Sequence, residues 1–317
     1  MRATISLLML VLLCSVPACA QDMSHHHNDN NAPAATPEST EQDWAKQKLA
    51  KSPRHQEWVK VKNGNREVNS FVVYPENKNK ATAVIVIHEI FGMSDWVQSL
   101  TDQLAEAGYV AIAPDLLSGM GPNGGGTSSL SGNAVGQAIR DLPPDQITAD
   151  LNAVADYISK VPASNGKIVV TGYCWGGGQS FRYATNNPNV KAAFVFYGPA
   201  PASADGTPDK AALAKITAPV YGFYAGNDAR INATLPKTTE AMTELKKTFD
   251  PVTYEGAGHG FMRAGDAPEP VAPQPKGDKA ADDKAAEDYQ KALTAWKGNK
   301  KARDEAWVRW KKLLAAI

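Results

Sequence analysis

Short apolar runs that alternate with amphipathic helices constrain this chain more than any other feature. Runs rich in β-branched or aromatic residues fall at residues 71–74, 83–87, 109–113, 168–171, 192–197, 220–225 and 252–254. Several are apolar throughout, as strands buried on both faces of a parallel sheet are. Helical patterns lie between them. Ile147, Leu151, Val154, Ala155 and Ile158 recur on one helical face, as do Trp96, Val97, Leu100 and Leu104, and residues 236–249 form a third helical stretch. The alternation predicts an α/β fold: a mostly parallel central sheet with helices on both faces.

The ends of the chain read differently. Arg2, an apolar run over residues 5–16 and the small residues Ala18-Cys19-Ala20 have the build of a secretory signal peptide at residues 1–20. The run is too short to span a membrane comfortably, so an uncleaved anchor is the lesser alternative. Residues 16–19 also resemble a lipobox, which would place a lipid anchor at Cys19; cleavage after Ala20 is preferred because Pro17 fits a lipobox poorly. Either route exports the protein, with the bacterial periplasm the expected location. Residues 21–45 form a polar linker in which His25, His26 and His27 read as part of a solvated tail. Residues 46–317 are expected to be one domain, with an insertion at about 267–303 and a helix broken near Gly298 and Asn299 before the last helix.

Of the three cysteines, Cys14, Cys19 and Cys174, cleavage after Ala20 leaves only Cys174, so no internal disulfide is expected. The chain has 33 basic and 33 acidic residues, which gives no electrostatic reason for a nucleic-acid partner. No nucleotide-binding glycine fingerprint is present. His88-Glu89-Ile90-Phe91-Gly92 is not H-E-x-x-H, so neither a metal nor a cofactor is expected. A monomer is the expected state.

Cys174 sits in Gly172-Tyr173-Cys174-Trp175-Gly176-Gly177, after an apolar run and before a helical segment. This is G-x-S-x-G with cysteine for serine, the sharp strand-to-helix turn that lifts a nucleophile above a sheet. The N-terminus of the helix presents partial positive charge to the sulfur. The acid and the base should follow in that order. Asp228 comes directly after the run 220–225, although a loop aspartate is as readily a helix cap or turn residue. His259, within Gly256-Ala257-Gly258-His259-Gly260-Phe261, is the only histidine C-terminal to Cys174. In such a triad the cysteine attacks a carbonyl carbon and forms a thioester, the histidine moves protons and the aspartate orients it. One oxyanion donor should be the Trp175 N–H, and the second should come from the loop after residues 83–87.

That loop begins with HEIFG. Together with GYCWGG, GND and AGHGF, in this order, it resembles the dienelactone hydrolase family (carboxymethylenebutenolidases) over roughly residues 57–263, with a last helix at about 304–314. The resemblance implies an α/β-hydrolase fold and hydrolysis of a small ester or lactone without a cofactor. It further implies that Glu89 contacts the nucleophilic cysteine and helps ionise it, that Ile90 N–H completes the oxyanion hole, and that Arg263 holds a substrate carboxylate. Arg140 lies near where a second such arginine would stand, in surroundings that match poorly. His88 reads as a packing or hydrogen-bonding residue. Residues 119–126, rich in glycine, lie where a substrate-covering loop would be and read as either a lid or a flexible loop. A broader carboxylesterase or thioesterase, or a non-catalytic thiol sensor, are the other readings.

Overall fold

Val84 and Val86 pack against one layer of helices while Ile85 and Ile87 pack against another, and this two-sided burial organises the fold. The computed structural model describes residues 42–317. The signal segment, Cys14, Cys19 and the three adjacent histidines lie outside the described residues. The elements follow in chain order as α1 (Asp43–Ala50), β1 (Gln56–Asn63), β2 (Arg66–Val73), β3 (Ala81–Ile87), α2 (Asp95–Glu106), β4 (Val110–Pro114), α3 (Asn133–Arg140), α4 (Pro144–Lys160), β5 (Ser164–Tyr173), α5 (Trp175–Asn186), β6 (Ala193–Phe196), α6 (Lys210–Leu213), β7 (Val220–Ala225), α7 (Ala229–Asn232), α8 (Leu235–Glu244), β8 (Phe249–Tyr254), α9 (Phe261–Ala264) and α10 (Lys279–Leu314).

The eight strands form one sheet in the order β1-β2-β4-β3-β5-β6-β7-β8. β1 and β2 are an antiparallel hairpin, β2 pairs antiparallel with β4, and the remaining pairs are parallel. This is the α/β architecture expected, with helices on both faces. On one face α4 contributes Ile147, Leu151, Val154 and Ile158, joined by Phe181 of α5 and Met242 of α8. On the other, Trp96, Leu100 and Leu104 of α2 meet Ala302, Ala306, Trp310 and Leu314 of α10. Each such fully buried large side chain contributes about 1.5–3 kcal/mol of hydrophobic stabilisation. Among the described residues no helix is long and apolar enough to cross a membrane.

Three boundaries differ from the sequence reading. The polar linker, expected to run to residue 45, gives way to α1 at Asp43. Ala45 is wholly buried, Gln42 N–H donates to Asp95 at 2.6 Å, and the Gln42 side chain accepts from Trp96 N–H at 2.9 Å. The third helical stretch ends at Glu244, and Phe249 opens β8.

The expected break near Gly298 and Asn299 is absent: α10 runs unbroken for 36 residues, so most of 267–303 belongs to the last helix. The glycine marks a close crossing instead. A Cβ on Gly298 would lie 2.3 Å from the Gly256 carbonyl oxygen, and Asn299 Oδ1 accepts from Gly258 N–H at 2.8 Å. The helix is pressed against the loop that carries His259.

Candidate active site

Parallel strands end on one edge of the sheet, and the chain between β5 and α5 turns there through a single residue, Cys174. Its backbone has φ 55° and ψ −117°, a strained conformation for a residue with a side chain, of the kind that costs about 1–3 kcal/mol. The neighbouring glycines explain how so sharp a turn fits. A Cβ on Gly172 would lie 1.9 Å from the Gly176 carbonyl oxygen, and one on Gly176 would lie 2.3 Å from that of His88. Cys174 N–H donates to the Phe196 carbonyl at 3.1 Å, which ties the turn to β6. The thiol is free and partly exposed.

Asp228 leaves β7 on the same edge. One of its oxygens accepts from Ile231 N–H at 3.3 Å and caps α7, while the other meets His259 Nδ1 at 2.5 Å. The cap and the histidine partner, alternatives in the sequence, are thus one carboxylate. Burial pushes the Asp228 carboxyl up, but the His259 hydrogen bond and charge, with the Ile231 N–H, outweigh this and hold it below its ordinary value. Burial pulls the His259 imidazole down. Hydrogen bonds to Asp228 and to the Cys174 sulfur, with the electrostatic pull of both, override it and push the ring up to about 10. The structure therefore brings Cys174, His259 and Asp228 together.

Ile87 pairs with Gly172, so the loop after β3 begins beside the cysteine turn. Trp175 opens α5, where first-turn N–H groups have no partner within the helix. Ile90 lies in a tight turn closed by Gly92 N–H donating to the Glu89 carbonyl at 3.1 Å. The buried Glu89 carboxylate was expected at the cysteine; the hydrogen bond it makes here is to Arg263, whose Nε donates to Oε2 at 2.8 Å. Arg263 also lies over the Phe91 ring, 5.1 Å from its centre. The exposed Arg140 closes α3, and its guanidinium would lie 3.4 Å from a Cβ on Gly136.

One further feature escaped the sequence reading. Tyr197 follows β6 at φ 40°, wholly buried, with its ring edge-on to His259 at 5.0 Å. Burial raises its hydroxyl well above the usual value. Its place at the end of the strand next to β5 was the available signal. Residues 119–126, expected as a lid or a flexible loop, are largely exposed, bond within themselves and run into Thr127, which is tied to Asp115. Gly121 N–H donates to the Gly125 carbonyl at 2.8 Å, and Asp115 accepts from both the N–H and the hydroxyl of Thr127 at 2.8 Å. His88 is fully enclosed and stacked on Trp175 at 5.4 Å, and its Nδ1–H donates to the Glu89 carbonyl at 2.9 Å. Burial holds its ring below the usual value, partly offset by Asp115.

Among the described residues no group of three or more His, Cys, Asp or Glu side chains is gathered as a metal ion would need. A cavity of about 600 Å³ opens at the other end of β5, lined by Asn152, Asp156, Ser159, Gly166, Asn187 and Lys191 among others. It is remote from Cys174 and plays no part in the site.

A mostly parallel sheet with a sharp, glycine-flanked cysteine turn after β5, an aspartate after β7 and a histidine after β8 has the layout of an α/β-hydrolase. The family model for the dienelactone hydrolase family matches residues 68–317, and the chain belongs to that family. A Methylorubrum extorquens protein named "Putative carboxymethylenebutenolidase" is 30% identical over 210 residues, covering 64% of this chain and 71% of the relative. One of the same name from Salmonella typhi is 34% identical over 185 residues, 56% of this chain and 67% of the relative. Among solved structures, one named "Putative Dienelactone Hydrolase" from Klebsiella pneumoniae subsp. pneumoniae superposes with a TM-score of 0.59 at 26% identity, covering 77% of this chain and 98% of that one. The protein is thus a dienelactone hydrolase-like hydrolase.

Proposed function

We propose that this hydrolase cleaves small esters or lactones through a Cys174–His259–Asp228 triad and a thioester intermediate. The observation that carries the reading is the 2.5 Å contact between Asp228 and the ring of His259, whose other side reaches the Cys174 sulfur. The sulfur adds to the carbonyl carbon, and the carbonyl electron pair moves to oxygen. The N–H groups of Trp175 and Ile90 hold that oxyanion. The pair returns, the carbon–oxygen bond breaks, and His259 gives its proton to the departing alkoxide. Water then adds to the thioester while His259 takes its proton, and the sulfur leaves as the acid is released. In a lactone the departing alcohol stays joined to the acid.

Arg263 makes a carboxylate-bearing substrate the favoured class, with Glu89 as the group such a carboxylate would compete against for the guanidinium. The domain is proposed to act after export, from the charged start and apolar run of residues 1–20, either released after Ala20 or lipid-anchored at Cys19; mass spectrometry of the mature N-terminus separates these routes.

The test is hydrolysis of p-nitrophenyl acetate and of a dienelactone by the parent, Cys174→Ala and His259→Ala. Turnover by the parent and its loss in both variants supports the triad. A folded, reduced parent that turns over neither compound favours the thiol-sensor reading.

A further inference from the structure

The turn that carries Ile90 is a single one, hinged at Gly92 with φ 70°. At its Glu89 end it is held by Arg263 and the His88 ring, and at its Met93 end by Thr127. The Thr127 hydroxyl accepts from Met93 N–H at 3.0 Å and donates to Asp115 Oδ1 at 2.8 Å. A carboxylate only accepts, so the hydroxyl proton is committed to Asp115 and the oxygen lone pairs are left for Met93. Asp115 is itself anchored just past β4. Its Oδ1 also accepts from Leu117 N–H at 3.1 Å and its Oδ2 from Thr127 N–H at 2.8 Å. The contact is close, for a Cβ on Gly92 would lie 2.4 Å from Thr127 Oγ1. Thr127, Asp115 and Met93 are 2%, 6% and 6% exposed, so water competes little for these bonds.

We propose that Thr127 is a positioning residue for the oxyanion hole. Backed by Asp115, it fixes the turn over residues 89–93 so that the Ile90 N–H stays aimed at the oxygen that turns negative. The proposal rests on the Cys174 reading above. Thr127 acts through the turn and not on the substrate. Its removal should therefore weaken transition-state stabilisation while leaving the sulfur reactive and ground-state binding largely intact.

The experiment compares Thr127→Val, Thr127→Ser and Cys174→Ala with the parent. Two rates are read: steady-state hydrolysis of p-nitrophenyl acetate, which needs an oxyanion hole, and alkylation of Cys174 by iodoacetamide, which forms no oxyanion. Thr127→Val should lower kcat by about 10- to 100-fold, the scale of a donor misplaced by roughly 1 Å. KM and the alkylation rate should stay near the parent's, and Thr127→Ser should restore kcat. An unchanged kcat in Thr127→Val overturns the proposal. So does a joint loss of hydrolysis and alkylation, or a serine variant as slow as the valine one. If the valine variant fails to fold, Asp115→Asn is read the same way: it turns an amide donor toward one of the groups that Asp115 accepts from, and an unchanged kcat there also overturns the proposal. Cys174→Ala separates the two readings. If it hydrolyses at the parent's rate, the triad falls and the positioning role falls with it. If it is inactive while Thr127→Val matches the parent, only the positioning role falls.

Discussion

Arg263 and Glu89 form an ion pair at 2.8 Å in which the guanidinium is 15% and the carboxylate 2% exposed. Such a pair is worth little against an apolar replacement, but removing one member strands the other. Arg263→Ala should therefore cost about 3 kcal/mol of stability, read as a lower urea midpoint. Arg263→Ala combined with Glu89→Gln should recover part of that loss. In activity assays Arg263→Ala should raise KM more for an ester bearing a carboxylate than for p-nitrophenyl acetate. Equal changes for both substrates would favour the general esterase reading.

Asp228 divides its two oxygens between Ile231 N–H and His259. Asp228→Asn should keep the cap on α7 and disturb the tautomer of His259. The expected outcome is a kcat lowered by about 10³- to 10⁴-fold with a melting temperature near the parent's. A large loss of stability together with activity would mean that the cap, rather than the histidine contact, dominates.

His259 is pushed up to about 10 in the folded protein. The ordinary imidazole value is about 6.5. Between these values the folded chain holds a proton that the unfolded chain has lost. The stability this residue contributes is thus fully present below about pH 6.5 and is lost as pH rises through about 10. Denaturant midpoints at neutral pH and at pH 10 should fall further for the parent than for His259→Gln. Parallel falls would refute the assignment.

Gly298→Ala is ordinarily a favourable change inside a helix, by about 1 kcal/mol. Here the added carbon would meet the Gly256 carbonyl oxygen at 2.3 Å. The variant should instead lose about 1–3 kcal/mol, as overpacked sites do, and should lose activity because the displaced loop carries His259. Thermal melting gives the sign directly, and a stabilised variant would show that the loop yields freely.

The parts of this molecule legible in its sequence were those set by local periodicity. Strands β4 and β6 are apolar at every position, and β3 at all but Thr82, because both of their faces are buried, and α4 shows its stripe because one face of it is buried. β1, half-exposed at the sheet edge with its polar residues outward, gave no comparable run. Cys174, Asp228 and His259 could be picked out as candidates because each directly follows a recognisable strand. The meaning of Gly298 could not be read locally, since only the fold sets it against Gly256. The Glu89–Arg263 pair and the Thr127–Met93 tether likewise join residues far apart in the chain. No spacing rule connects such positions; the packing of the loops around β3 and β8 does.

The crossing of α10 over residues 256–258 has a consequence for the order in which the protein is made. Trp310 and Leu314, which anchor that helix beneath the sheet, leave the ribosome well after Cys174 and His259. Folding during synthesis favours segments that have already emerged. A nascent chain can complete the cysteine turn between β5 and α5 before the helix that supports the His259 loop exists. The turn at Cys174 can form before the loop of His259 is secured, so full activity should arrive only once α10 has emerged and docked.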